Sequence, residues 1–95
     1  MRATSVLQAR EMVRVEFYGL ARLRAGRADL LVDASTIGSA LASADAACPE
    51  LRSHRDDGLS PEYRISVGGR YFTDNPAGPL ADGDSILVLG ADAGG

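Results

Sequence analysis

Few side chains in this sequence combine in a way that could do chemistry. The run Ser53-His54-Arg55-Asp56-Asp57 sets a hydroxyl, the single imidazole and two carboxylates side by side. A nucleophilic triad needs such groups converging in space with a positioned nucleophile, not adjacent along a loop. The run also fits no metal-ligand spacing, so it reads as solvated loop polars. Asp82-Gly83-Asp84 could face a divalent cation but reads as a turn, because Asp-Gly is a strong turn pair. Gly68-Gly69 lacks the following lysine and helix of a phosphate-cradling loop. Cys48, the only cysteine, falls on an apolar helical face with no activating base in view and reads as a buried small hydrophobe. No metal site and no self-sufficient active site are expected.

The remaining candidate is the end of the chain, "LVLGADAGG". A strand-like run, Ile86 to Leu89, passes into Gly90, Ala91, Asp92, Ala93, Gly94 and Gly95. A frayed terminus is the plain reading. The other reading makes the α-carboxylate of Gly95 the working group. Its reference pKa is about 3.3–3.7, so at neutral pH it is an anion and a poor acyl electrophile. To carry chemistry it must be activated by another protein. The route is adenylation by ATP, then displacement of AMP by a sulfur or nitrogen nucleophile. A tail without side chains fits a narrow channel and lets partner groups approach the backbone. Gly94 and Gly95 meet that need.

The totals suit a small presenting domain. Ninety-five residues make one domain, with room for one core and little room for a deep cavity. Ten basic residues against 13 acidic give a net charge of −3, which argues against a nucleic-acid module. All the basic residues are arginine, so the chain offers no lysine for acyl transfer to itself. A lone cysteine suits a reducing cytoplasm. No apolar run approaches a membrane span, and "MRATSVLQAREM" lacks the apolar stretch of a signal peptide.

Along the chain, residues 1–11 read as a disordered extension, 12–89 as the folded domain and 90–95 as a flexible tail. "VRVEF" alternates, with Val13, Val15 and Phe17 on one face, and predicts a half-buried strand. "GLARLRAG", bracketed by Gly19 and Gly26, reads as a loop. "RADLLV" alternates again, with Ala28, Leu30 and Val32 together. Ser35 or Thr36 can cap a helix whose apolar face is Ile37, Leu41, Ala44 and Cys48. Gly38 costs that helix about 1 kcal/mol relative to alanine, and Pro49 ends it. "RSHRDDGLSPEY" reads as an exposed loop. "YRISV" and "RYF" flank a Gly68-Gly69 hairpin turn. "SILVL", nearly all apolar, predicts a strand buried on both faces. One helix across one face of a mixed four- to five-stranded sheet, an α+β arrangement, fits this order.

These residues together resemble the MoaD/ThiS group of ubiquitin-like sulfur carriers over about residues 12–95. "VRVEFYGLARLRAG" is similar to that family's first strand and following loop. "STIGSAL" and "CPELR" resemble its helix start and end, "ISVGGRY" its V-N-G hairpin with Gly68 in place of Asn, and "PLADGDSILVL" its L-x-D-G-D strand entry. Gly94-Gly95 match its C-terminal pair. The resemblance implies a β-grasp fold and a non-catalytic carrier acted on by partners. A ubiquitin-activating-enzyme-like adenylyltransferase would use ATP to adenylate Gly95, and a sulfur donor would convert it to a thiocarboxylate. No cofactor would be bound stably. Gly90, Ala91, Asp92, Ala93 and Gly94 would line the contact with partners. In the molybdopterin branch the acceptor is the large synthase subunit; other branches serve cysteine, thiamine, transfer-RNA or specialised-metabolite thiolation. The same activated end would also serve a protein modifier. Where molybdopterin synthase small subunits often carry prolines before the last residues, this chain has Gly90-Ala91-Asp92. The tail is therefore expected to be more flexible and to carry a second negative charge. The exposed sheet face, with Leu20, Arg22, Leu23 and Arg24 of "GLARLRAG" nearby, is the expected docking surface. An adaptor that binds only through that face would tolerate loss of Gly94-Gly95.

Overall fold

The computed structural model describes residues 11–91. The alternation in "MVRVEF" becomes strand β1 (Met12–Phe17), with Val13, Val15 and Phe17 buried. It pairs antiparallel with β2 (Asp29–Asp33), matching Val15 to Leu30 and Val13 to Val32. Helix α1 (Gly19–Ala25) fills the connection that read as a loop. The bracketing glycines misled that reading. Leu, Ala and Arg are good helix formers, and Gly26 closes the helix instead of interrupting it. Its φ is 74°, the left-handed conformation of a helix C-cap, and its N–H donates to the Arg22 carbonyl at 2.9 Å. Arg22 and Arg24 lie in the last turn, where cations suit the helix dipole.

Helix α2 (Ile37–Ala47) starts at Thr36 in a reciprocal cap. The Ser39 N–H donates to Thr36 Oγ1 at 3.1 Å, and the Thr36 N–H donates to Ser39 Oγ at 3.2 Å. Ile37, Leu41, Ala44 and Cys48 are all buried, as their spacing requires, with Ala40 among them. Leu51 is fully buried after the helix end. The segment that read as an exposed loop instead holds a two-stranded ribbon, β3 (His54–Arg55) with β4 (Gly58–Leu59). Ser53 and Ser60 beside it are buried. Asp45 of α2 organises this corner. Its carboxylate accepts the Ser53 N–H and O–H at 2.8 and 2.7 Å and the His54 N–H at 2.8 Å.

Strands β5 (Tyr63–Val67) and β6 (Tyr71–Thr73) form the second hairpin. Gly68 and Gly69, at φ 60° and 75°, make its turn, closed by the Arg70 N–H to the Val67 carbonyl at 3.0 Å. β7 (Ser85–Gly90) enters the middle of the sheet, parallel to β1 and antiparallel to β5, giving the order β2-β1-β7-β5-β6. Ile86 and Val88 face α2 and are fully buried, whereas Leu87 and Leu89 are only half-buried. Leu87 and Leu89 lie on the opposite face, so the expectation of burial on both faces holds for one face only.

The domain edges shift slightly from the sequence reading. The Glu11 carbonyl accepts the Ala34 N–H at 2.8 Å, so Glu11 joins the fold. At the other end β7 continues through Gly90. Residues 1–10 of the expected extension, and Asp92 to Gly95 of the expected tail, lie outside the described residues.

Candidate functional site

The C-terminal arm leaves from the central strand of the sheet. Its first residue, Gly90, is buried opposite Tyr63 in the β5–β7 ladder. A methyl group at Gly90 would lie 3.3 Å from Leu20 Cβ and 3.9 Å from the Leu20 nitrogen. A side chain there would need Leu20 to give by a few tenths of an ångström, so glycine suits the close approach of α1 to the strand end. The Tyr18 N–H, at the start of α1, donates to the Val88 carbonyl at 3.0 Å and pins the helix there. Ala91 is exposed, and its N–H donates to the Glu62 carbonyl at 2.7 Å.

On the β5 side, Arg24 of α1 reaches both residues that meet the arm. Its Nη1 pairs with Glu62 Oε1 at 2.7 Å and donates to Tyr63 Oη at 3.0 Å, with the guanidinium 5.8 Å from the Tyr63 ring centroid. The bond to Tyr63, and after it that to Glu62, raises the guanidinium pKa above its ordinary value. The Tyr63 O–H in turn donates to the buried Leu51 carbonyl at 2.5 Å. Leu20, Arg24, Glu62 and Tyr63 thus form a collar around Gly90 and Ala91. Leu20 and Arg24 had been expected only as docking residues near a loop. Reading α1 as a helix would have placed them on one face, four positions apart. Glu62 and Tyr63 gave no signal.

The sheet face away from α2 is open. The registers put Arg14, Glu16, Leu31, Arg64, Phe72, Leu87 and Leu89 on it. Phe72 is 55% exposed, and the Arg64 guanidinium sits 4.2 Å from its ring centroid. Arg14 pairs with Asp29 at 3.1 Å, and the Tyr18 O–H donates to Glu16 at 2.5 Å. On α1, Leu23 is 79% exposed.

Most of the other polar sequence candidates are engaged locally. The Ser53 hydroxyl is bound to Asp45, and only the backbone N–H of His54 joins it there. Asp57 pairs with Arg55 at 3.7 Å. Asp82 accepts the Met12 N–H at 2.9 Å, and Asp84 accepts the Ala81 N–H at 2.8 Å, so both serve the turn into β7. Cys48 is a buried free thiol. Among the described residues, no three His, Cys, Asp or Glu side chains are grouped to hold a metal ion. No described helix is long and apolar enough to cross a membrane.

The strand order, the parallel β1–β7 pair and the helix packed across one face define a ubiquitin-like β-grasp domain. Solved structures show which small proteins share it. SAMP1 from Haloferax volcanii superposes with a TM-score of 0.75 at 22% identity, covering 88% of this chain and 99% of that one. The Haloferax volcanii HVO 2177 protein gives 0.71 at 28% identity over 90% and 87%. The complex of subunits 1 and 2 of molybdopterin-converting factor from Helicobacter pylori contains a chain matching at 0.60 and 25% identity, over 88% and 99%. The resemblance to the MoaD/ThiS group therefore holds at the level of the fold. No family model and no curated protein matches the sequence.

Proposed function

We propose that this chain is a ubiquitin-like sulfur carrier whose reactive group is the α-carboxylate of Gly95. The observation that carries the reading is the exit of the arm. The central strand ends at Gly90 in a collar of α1 and β5, and the last five residues continue from it toward a Gly-Gly end. In the first step a Gly95 carboxylate oxygen attacks the α-phosphorus of ATP and pyrophosphate leaves. In the second, a hydrosulfide equivalent from a sulfur donor attacks the acyl carbon and AMP leaves, giving the thiocarboxylate. A ubiquitin-activating-enzyme-like adenylyltransferase supplies the nucleotide site, and the chain supplies only the acyl group.

The sulfur acceptor we favour is the large subunit of a molybdopterin synthase, supported by the likeness to the chain in the Helicobacter pylori complex. Carriers serving cysteine, thiamine, transfer-RNA or specialised-metabolite thiolation fit the same geometry. The open sheet face, with Phe72, Leu87 and Leu89, would dock the partner while Gly90 to Gly95 enter it. The likeness to SAMP1, named in related structures as a small archaeal modifier protein, supports a second use of the same end. There a lysine amine of a target protein would displace AMP and form an isopeptide bond.

Intact-mass measurement on the purified chain, after incubation with an activating enzyme, ATP and a sulfur source, tests the carrier reading. The expected result is a chain ending at Gly95 that gains the oxygen-to-sulfur mass difference, and a Gly95-deleted chain that gains nothing. An unchanged mass for the full chain refutes sulfur carriage. Covalent adducts to target lysines without a thiocarboxylate would favour the modifier. Deleting Gly95 should barely move the thermal midpoint; a large loss would make the tail structural.

A further inference from the structure

We propose that Arg24 is a positioning residue that sets the direction in which the C-terminal arm leaves the domain. The inference rests on the carrier reading and concerns how that carrier presents its end. Among the described residues the β5–β7 ladder ends at the Tyr63–Gly90 pair. The arm's first described bond beyond it is the Ala91 N–H to the Glu62 carbonyl, at 2.7 Å. The place of Glu62 therefore decides where the arm points. Glu62 precedes β5 and is itself exposed. Its own N–H donates to Ser60 Oγ at 3.2 Å, and its carboxylate is taken by Arg24 at 2.7 Å.

Arg24 is suited to this because it is anchored at the other end. The same Nη1 donates to Tyr63 Oη, and Tyr63 is buried and bound to the Leu51 carbonyl. Its helix is held against the sheet by fully buried Ala21 and by the Tyr18 bond to Val88. One guanidinium thus ties the exposed Glu62 side chain to the buried Tyr63. The pair itself is partly solvated, with side-chain exposures of 32% for Arg24 and 53% for Glu62. Pairs of this kind contribute little to global stability. Their loss should register in the order of the arm root, which a binding partner must then restore at an entropic cost.

The test compares Arg24→Ala and Arg24→Lys with the wild-type chain in thermal unfolding, in hydrogen exchange at the Ala91 amide, and in ATP–pyrophosphate exchange with an activating enzyme. Arg24→Ala should keep its thermal midpoint and lose up to about 5-fold in Ala91 protection, the factor carried by the roughly 1 kcal/mol that such a pair contributes at most. KM for the carrier should rise by about the same factor, with kcat unchanged, because the reacting carboxylate is not touched. Arg24→Lys keeps a charge that can reach Glu62 and should recover part of both. Unchanged Ala91 protection, a fall in kcat at constant KM, or a large drop in the midpoint would each overturn the proposal. A wild-type chain that is not activated at all would refute the carrier reading instead. Ala91 exchange would then still decide whether Arg24 orders the arm root.

Discussion

Gly38→Ala should destabilise this protein, although alanine is the better helix former. Gly38 is the second residue of α2 and is buried. By propensity alone the substitution should gain about 1 kcal/mol. A methyl group there would lie 3.0 Å from the Pro76 carbonyl oxygen and 3.2 Å from Pro76 Cβ. The obstacle is backbone, and it is held from several sides. The Gly38 N–H donates to that same Pro76 carbonyl at 2.8 Å, and the Ile37 N–H donates to the Gly78 carbonyl at 2.9 Å. Within the loop, Asn75 accepts from Gly78 and Ala77 at 3.0 Å each. Making room costs about 1–3 kcal/mol as overpacking, and stretching the Gly38 bond costs about 1 more. Against the propensity gain of about 1 kcal/mol, the net loss should be about 1–3 kcal/mol. For a domain of this size each kcal/mol lowers the thermal midpoint by about 4–8 °C. Urea or thermal unfolding measures it directly. Ala42→Gly, at an exposed position of the same helix, gives the propensity scale in this context. If Gly38→Ala were neutral or stabilising, the 75–78 loop would be shown to yield, and the packing argument would fail.

Two further outcomes follow from the same kind of accounting. Asp45→Ala strips the partners from the buried Ser53 hydroxyl and from two backbone N–H groups. It should cost about 2–3 kcal/mol, read as a lower urea midpoint at constant m-value; a change below half that size would mean water replaces the carboxylate freely. The Tyr18 phenol, whose O–H donates to Glu16, has its pKa raised above 10.0 by that bond first and by desolvation next. The contribution is therefore complete at neutral pH and is lost as pH rises through the raised phenol pKa. The ring signal of Tyr18 should titrate later than that of free tyrosine and move back in Glu16→Gln; an ordinary titration in the native chain would refute the bond.

Much of the fold was legible because its elements obey simple periods. Alternation in β1 and the 4-3-4 spacing of Ile37, Leu41, Ala44 and Cys48 reflect the single helix-covered face that both must meet. The same single face explains the error at Leu87 and Leu89. An apolar run says that residues can be buried, but only the number of layers says which ones are. Helix α1 was hidden because glycine marks both loops and helix ends, and the difference at Gly26 lies in one backbone angle. The ribbon of β3 and β4 is too short to show a period. At the site, the glycine-rich arm could be seen in the sequence as a chemical possibility. Its collar could not, since Arg24 and Tyr63 are 39 positions apart and meet only through the packing of α1 on the sheet end.

The position of β7 between β1 and β5 has a mechanical consequence. Sheet hydrogen bonds run across the strands, so a pull on the C-terminal arm acts along β7 and loads both of its ladders in shear. Such a strand resists as a set of bonds sharing the force, whereas an edge strand such as β2 or β6 could be peeled away one bond at a time. A partner that grips or drags the arm therefore loads the bonds of both ladders together.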